Sequence, residues 1–484
     1  MQLPRPSSAA LAALAACLLG AACGREPGPA APRPNVILLM ADDMGWGDPG
    51  FMGNEVIRTP ALDAMAAAGL RFDRFYAASP VCSPTRGSCI TGRHPERYGI
   101  LTANSGHLPR RELTLAELLG ARGYATGHFG KWHLGTLTRT ERDSRRGGTR
   151  HAEHYSPPSQ HGYEVCFATE AKVPTWDPAI RPRGWKDPWW WDPVEDPAQA
   201  EPFGTAFWNE RGQRVTANLE GDSSRVLMDR VIPFVRRAAR SGRPFFATVW
   251  FFAPHEPLVA GPPHSEAYAD LPVDRHHRYY YAAVSALDEQ LGRLRDELRA
   301  LGVERDTILW FCSDNGPARP ETYPGSAGPL RGGKGQLFEG GVRVPAVLEW
   351  PARVQPGTAS AVPASTLDLL PTVLAAVGLA LPDGRPLDGI SLLPLLDGEG
   401  AARRRPIPFQ YFDERALIDG RHKLIVYPEG GRHEAGTFLY DLEADPAESR
   451  DLAAELPERV GELLAAHGEW RRSVEASLQG RDYP

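Results

Sequence analysis

Lysine is scarce in this chain. Only Lys131, Lys172, Lys186, Lys334 and Lys423 occur among 54 basic residues, and the rest are arginine. Cysteine is also scarce, with six in 484 residues. Setting aside Cys17 and Cys23 near the N-terminus leaves Cys82, Cys89, Cys166 and Cys312. Their spacings match no zinc motif, and four thiols are too few for a disulfide scaffold. One pair could bridge, and the spacing does not say which of Cys89, Cys166 and Cys312 would take part. There is no excess of positive charge. The net charge of −6 excludes a nucleic-acid binder as the default reading. No apolar run beyond the leader is long enough to cross a bilayer, and no internal repeat is present. What the chain does have is a normal globular composition, 42% hydrophobic and 24% charged, enough to bury a sizeable core. Its 49 glycines and 46 prolines imply many turns and long loops.

Residues 1–23 read as an export signal, because Arg5 precedes a short apolar run of small residues at 9–22. The run ends Leu19-Gly20-Ala21-Ala22-Cys23, which resembles a bacterial lipobox. Two expectations follow: a lipid anchor at Cys23, or an ordinary signal peptide cut nearby. The protein is then exported, as a periplasmic or outer-membrane-anchored lipoprotein or a secreted protein. Residues 24–34, rich in Pro, Gly and Ala, read as a linker.

From residue 35 to about 400, short apolar strands alternate with helical segments, which predicts an α/β domain with a mostly parallel sheet. Strands are expected at 36–40, 124–128, 245–252, 307–311 and 346–350. Helices are expected at 59–69, 114–123, 223–240, 276–301 and 366–377, the first with Thr59 as N-cap and Pro60 opening it. Residues 401–484 read as a smaller C-terminal α+β subdomain, with antiparallel strands at 416–427 and 437–442 and a helix at 456–473. Residues 139–154 and 174–203 read as long insertions, and such loops are often functional.

Ligands of an open parallel sheet bind beyond the carboxyl ends of its strands. Four expected strand ends run into polar groups: Asp42-Asp43, Lys131-Trp132-His133, Pro254-His255 and Asp314-Asn315. Asp42, Asp43, Asp314 and Asn315 offer only oxygen, a set that suits Ca²⁺ or Mg²⁺ better than zinc. In Cys82-Ser83-Pro84-Thr85-Arg86, Pro84 is placed to start a helix. Cys82 would then lie just before a helix N-terminus, within reach of Arg86 and in a setting that activates a thiol.

Cys82-x-Pro84-x-Arg86 with Thr91-Gly92-Arg93 resembles the signature of the type I sulfatases, formylglycine-dependent enzymes of the alkaline phosphatase superfamily. Gly130 to Gly135, Ala253-Pro254-His255, Ser313 to Gly316 and Gly333-Lys334 follow in the family's order, as do Leu439 to Leu442 and Asp445-Pro446. The resemblance implies an alkaline-phosphatase-like fold and a sulfuric ester hydrolase. It implies that Cys82 is converted to Cα-formylglycine by a maturation enzyme. It also implies one Ca²⁺ held by Asp42, Asp43, Asp314, Asn315 and the residue at 82. Arg86 would stabilise the hydrated aldehyde, His133 contact it, Lys131 and Lys334 hold sulfate oxygens, and His255 face the leaving group. Thr169 is a candidate for a further sulfate contact. Two of the five lysines thus fall in motifs, where a compact ammonium suits a crowded sulfate better than a guanidinium fork.

One hydroxyl of the aldehyde hydrate would attack sulfur in line with the departing alcohol. The second would let sulfate leave by re-forming the aldehyde. Trp176, Trp185 and Trp189 to Trp191 could stack on sugar rings, and Arg145, Arg146 and Arg150 could meet a polyanionic chain. The expected substrate is therefore a sulfated carbohydrate. The alternatives are a phosphonate or phosphodiester hydrolase of the same superfamily and a non-catalytic glycan-binding relative.

Overall fold

The first strand sets the architecture. In β1 (Asn35–Ala41) every residue is buried, and the alternation of a strand sends Ile37, Leu39 and Ala41 into one core cluster and Val36, Leu38 and Met40 into another. A strand apolar on both faces belongs in the middle of a covered sheet, and β1 is there. The computed structural model describes residues 33–319, 322–399 and 402–483. The expected signal, the anchor at Cys23 and nearly all of the linker lie outside the described residues.

The remaining strands of the main sheet are β2 (Leu70–Tyr76), β3 (Ala125–Lys131) and β4 (Val165–Thr169), which precede a two-stranded hairpin, β5 (Ile180–Pro182) with β6 (Ala200–Pro202). Then come β7 (Phe207–Asn209), β8 (Arg214–Val215), β9 (Phe245–Trp250), β10 (Thr307–Ser313), β11 (Arg343–Glu349), β12 (Thr358–Ser360) and β13 (Ala364–Ser365). Their order is β12-β2-β11-β10-β1-β9-β3-β4-β7-β8, with β13 also beside β2. The block β10-β1-β9-β3-β4 is parallel throughout, and antiparallel β11 and β7 flank it. Helices Pro60–Ala68, Ser223–Arg240 and Arg275–Ala300 pack on one face, and Cys82–Thr91, Leu115–Gly120 and Leu369–Ala376 on the other. This is the mostly parallel, helix-flanked sheet expected from sequence. Strands β2, β4, β7, β8, β12 and β13 are additional to that reading. Thr59 does not cap its helix by side chain; its hydroxyl accepts from the Gly50 N–H at 2.7 Å.

The C-terminal part is an antiparallel meander, β14 (Ile407–Tyr411), β15 (Glu414–Asp419), β16 (His422–Tyr427) and β17 (Gly436–Asp441). The expected single strand at 416–427 is two strands, because Gly420 turns between them at φ 60°. One face of the meander packs on Tyr76, Val81, Leu337 and Val342 of the body, and the other on helix Pro457–Leu478.

A buried ionic cluster fastens this seam. Lys423 Nζ lies 3.0 Å from Glu339 and 2.9 Å from Glu448, and all three side chains are fully buried. Removing one partner of such a cluster leaves uncompensated charge and costs about 3–5 kcal/mol. Lys423→Met should therefore lower the thermal midpoint by several degrees, and an unchanged melting curve would count against this seam as a source of stability.

Candidate active site

Strands β10, β1, β9 and β3 are neighbours and run the same way, so their carboxyl ends lie side by side. Asp314-Asn315, Asp42-Asp43, His255 and Lys131-Trp132-His133 follow those four ends. The next strand, β4, leads into Lys172, and helix Cys82–Thr91 points its N-terminus at the same edge. Cys82, Lys131, His133, Lys172, His255 and Lys334 all line one cavity of about 670 Å³.

Close packing needs glycine here. A Cβ on Gly130 would sit 1.9 Å from the Trp250 carbonyl oxygen, so its absence lets β3 approach β9 immediately before Lys131. Asp43 and His133 adopt left-handed backbone, φ 65° and 57°, a strained state for such residues that is common at functional sites.

The charges are paired and dry. Lys131 Nζ donates to Asp42 at 2.7 and 3.0 Å, and Lys334 Nζ to Asp43 at 2.6 and 2.8 Å. Arg86 donates to Asp314 at 2.5 Å and to the Lys131 carbonyl at 3.1 Å, and its guanidinium lies over the Trp250 ring. The Asn315 amide donates to Asp43 at 2.7 Å, while its buried oxygen has no hydrogen-bond partner. Burial alone would raise the Asp42 carboxyl, but Lys131, His255, Arg86 and Lys334 hold it well below the usual range. Burial raises Asp314 to about 7 against the pull of Arg86, with Asp42 and Asp43 adding repulsion. Asp42, Asp43 and His255 also present ligand atoms within 4.8 Å of one another.

The histidines are fixed differently. His255 Nδ1 lies 2.6 Å from the Glu256 carbonyl oxygen, which can only accept, so Nδ1 carries the proton and Nε2 faces Asp43 at 3.6 Å. His133 Nε2 meets Asn104 Oδ1 at 3.0 Å, so Nε2 is the donor. Burial, with Lys131 and Arg86 adding to it, keeps His133 neutral.

Three expectations change. The helix begins at Cys82 itself, with Val81 as its cap residue and Pro84 inside the first turn. The thiol is not activated by that position, because burial pushes it up more than Lys131 and Lys334 bring it down. Thr169 does not reach the cavity; its hydroxyl donates to the Ala171 carbonyl at 2.7 Å, and Lys172, three residues on, lines the wall instead. The four described cysteines are all free and buried.

None of the tryptophans of the insertion lines the cavity; Trp189 and Trp190 hold the insertion to the body, while Trp191 packs within it and Trp185 is exposed. Trp189 stacks under Arg319 at 3.6 Å from ring centroid to guanidinium, Trp190 packs on Tyr279, and Trp191 on Phe203. Arg145 lines the cavity, whereas Arg146 is buried against Glu170 at 2.9 Å. Sequence reasoning missed Asn104, Arg142, Lys172, Arg181 and Glu256, which also line it. A fifth strand end, β4 into Lys172, was the available signal for one of them.

A helix that opens with Cys82, set against carboxylates at parallel strand ends, is the arrangement of a hydrolase of the alkaline phosphatase superfamily. A family model described as Sulfatase matches residues 34–379, and one described as N-sulphoglucosamine sulphohydrolase, C-terminal, matches residues 333–462. The chain belongs to the sulfatase family and is a sulfuric ester hydrolase. It is 32% identical to steryl-sulfatase of Mus musculus over 99% of this chain and 88% of that one. It is 35% identical to N-acetylgalactosamine-6-sulfatase of Homo sapiens, over 81% and 71%. The solved structure of Ps i-CgsB with k-i-k-neocarrahexaose superposes with a TM-score of 0.77 at 25% identity, over 91% of this chain and 93% of that one. A phosphonate monoester hydrolase of Agrobacterium radiobacter, with a TM-score of 0.62 and 22% identity over 92% and 96%, shares the fold.

Proposed function

We propose that this chain is an exported sulfatase that removes sulfate from a sulfated carbohydrate, using Cα-formylglycine at position 82 and one Ca²⁺. The observation that carries the reading is the convergence of lysines, histidines and Cys82 on one cavity at adjacent parallel strand ends, with buried Asp42 and Asp43 held against Lys131 and Lys334. The relatives named for N-acetylgalactosamine-6-sulfate and the neighbour bound to a neocarrahexaose support a carbohydrate.

The residues present fit a divalent cation. Three fully buried carboxylates crowd together, the Asn315 oxygen has no partner among the described residues, and lysine ammonium groups sit against Asp42 and Asp43. Asp42, Asp43, Asp314, Asn315 and residue 82 would hold the ion, which would supply Lewis-acid stabilisation of charge on the sulfate oxygens. Formylglycine, as its hydrate, would supply a nucleophilic hydroxyl and a second hydroxyl whose collapse releases sulfate. A phosphate or sulfate ester enters beside Lys131, Lys334 and Lys172, whose ammonium groups bind its equatorial oxygens. Arg86, fixed by Asp314, holds the residue at 82 in place. His133, its Nε2–H held by Asn104, lines the same cavity and would contact the residue at 82. In its imidazolium form, with Nδ1–H held on the Glu256 carbonyl and a second proton on Nε2 facing Asp43, His255 would deliver the Nε2 proton to the departing alcohol oxygen and be left neutral. The leader at residues 1–23, the linker at 24–34 and a possible lipid anchor at Cys23 support export. No helix among the described residues is long and apolar enough to cross a membrane.

Protein co-expressed with a maturation enzyme should hydrolyse an aryl sulfate faster than the matching aryl phosphate or phosphonate, and EDTA should abolish the activity. A preference for the phosphorus esters would favour the phosphohydrolase reading. Glycan affinity without turnover in matured protein would favour a binding relative.

A further inference from the structure

The cavity carries more positive charge than one sulfate ester requires. Arg142, Arg145 and Arg181 line its wall outside the catalytic cluster. Arg142 and Arg145 have neither an ion-pair nor a hydrogen-bond partner among the described residues. Arg181 uses Nε on Glu201 at 2.8 Å, which leaves the rest of its guanidinium available.

These arginines are mounted, not merely exposed. In Arg142-Asp143-Ser144-Arg145-Arg146, the intervening residues are anchors. Asp143 is buried, accepting from the Ala206 N–H at 2.8 Å and from Trp208 Nε1 at 2.6 Å. The Ser144 N–H donates to the Gly204 carbonyl at 2.8 Å. Arg146 is buried too, donating to Glu170 at 2.9 Å and to the Gly106 carbonyl at 2.8 Å. The loop is pinned on both sides, and Arg142 and Arg145 are the residues it leaves facing the cavity. Arg181 stands on the β5–β6 hairpin of the second insertion. Two separate insertions thus supply guanidinium groups to one wall, Arg142 and Arg145 unpaired among the described residues and Arg181 tied only through Nε.

The apolar content of the same wall is small: Ala103, Ala171, Pro202 and Phe203. Such a wall has little to offer a sterol or a bare aryl ring. A volume of about 670 Å³ is large enough for a saccharide of more than one ring.

We infer that Arg142, Arg145 and Arg181 form a second anion subsite, which selects saccharides bearing a further sulfate or carboxylate near the scissile sulfate. The inference rests on the sulfatase reading above and names its substrate class. A guanidinium fork pairs with either anion in bidentate fashion, so the two sources must be separated by substrate.

The test compares kcat/KM for three saccharides of equal length: monosulfated and otherwise neutral, disulfated, and monosulfated with a uronic carboxylate. An aryl sulfate serves as reference. The native enzyme should favour one or both of the dianionic substrates over the neutral monosulfate by tenfold or more. In Arg142→Gln/Arg145→Gln that ratio should collapse by at least tenfold, chiefly through KM, and the native ratio should fall steeply with added salt. Arg181→Gln should act in the same direction. A native enzyme without dianion preference, or a ratio unmoved by the substitutions, overturns the subsite. Absence of turnover on every sulfate ester, aryl sulfate included, overturns instead the sulfatase reading on which it rests.

Discussion

Cys82→Ala should abolish turnover, with a loss of about 10⁴-fold or more, the scale seen when a nucleophile is removed. Peptide mass spectrometry of active protein should find the thiol at 82 replaced by an aldehyde. Fully active protein with an intact thiol would refute the proposed chemistry. The matching substitution at Cys89 should cost far less. Both residues lie on helix Cys82–Thr91 and both are buried. Cys82 stands in the first turn and opens on the cavity, whereas Cys89 lies two turns deeper in the apolar core with Ile90, its thiol pushed up to about 12 by burial. Cys89→Ala should therefore lower stability by about 1–2 kcal/mol through a small cavity, with kcat nearly unchanged.

The second large effect separates His255 from the carboxylate cluster. If His255 Nε2 protonates the leaving oxygen, its removal matters most where the alcohol leaves poorly. His255→Ala should cost an aryl sulfate less than about tenfold and a sugar sulfate about 10²–10⁴-fold. Asp314→Ala should damage both substrates alike, by about 10³-fold, since it removes charge stabilisation common to every substrate and strips Arg86 of its 2.5 Å partner. Because that leaves a buried guanidinium with only Asp42, at 3.4 Å, to balance it, Asp314→Asn is the companion variant, with a melting curve to establish folding. Equal losses on both substrates for His255→Ala would leave His255 as a binding residue only.

Much of this site was legible in the sequence because its ligands sit directly after strands with strong apolar signals. β1 and β9 are continuous apolar runs, and the polar pair after β1 stands out against one. β2 escaped notice for the opposite reason. Leu70-Arg71-Phe72-Asp73-Arg74 alternates charge with apolar residues, because Arg71 and Asp73 pair with each other on its more exposed face. β4 is hidden by its brevity, and with it Lys172, which leaves Thr169 as the more visible candidate in that segment. Which arginines of the 139–154 insertion face the cavity could not be read either. Arg145 and Arg146 are adjacent and chemically identical, and only tertiary partners, Glu170 and Gly106 for one and none for the other, separate them. The tryptophans misled in a similar way, since an indole that could stack on a sugar serves equally well to stack on Arg319.

β1 lies between β9 and β10, strands that enter the chain some two hundred residues later: Val36 is paired with Phe246 on one side and Ile308 on the other. As the polypeptide emerges, its most apolar strand finds no neighbour until residue 250 has been made, and lacks the second until residue 313. Sequence-distant pairing of this kind is slow to form. Under the export proposed above, the delay would have a use: a central strand that cannot lock into the sheet early would leave the emerging chain extended and threadable, with the active site assembling only after transfer.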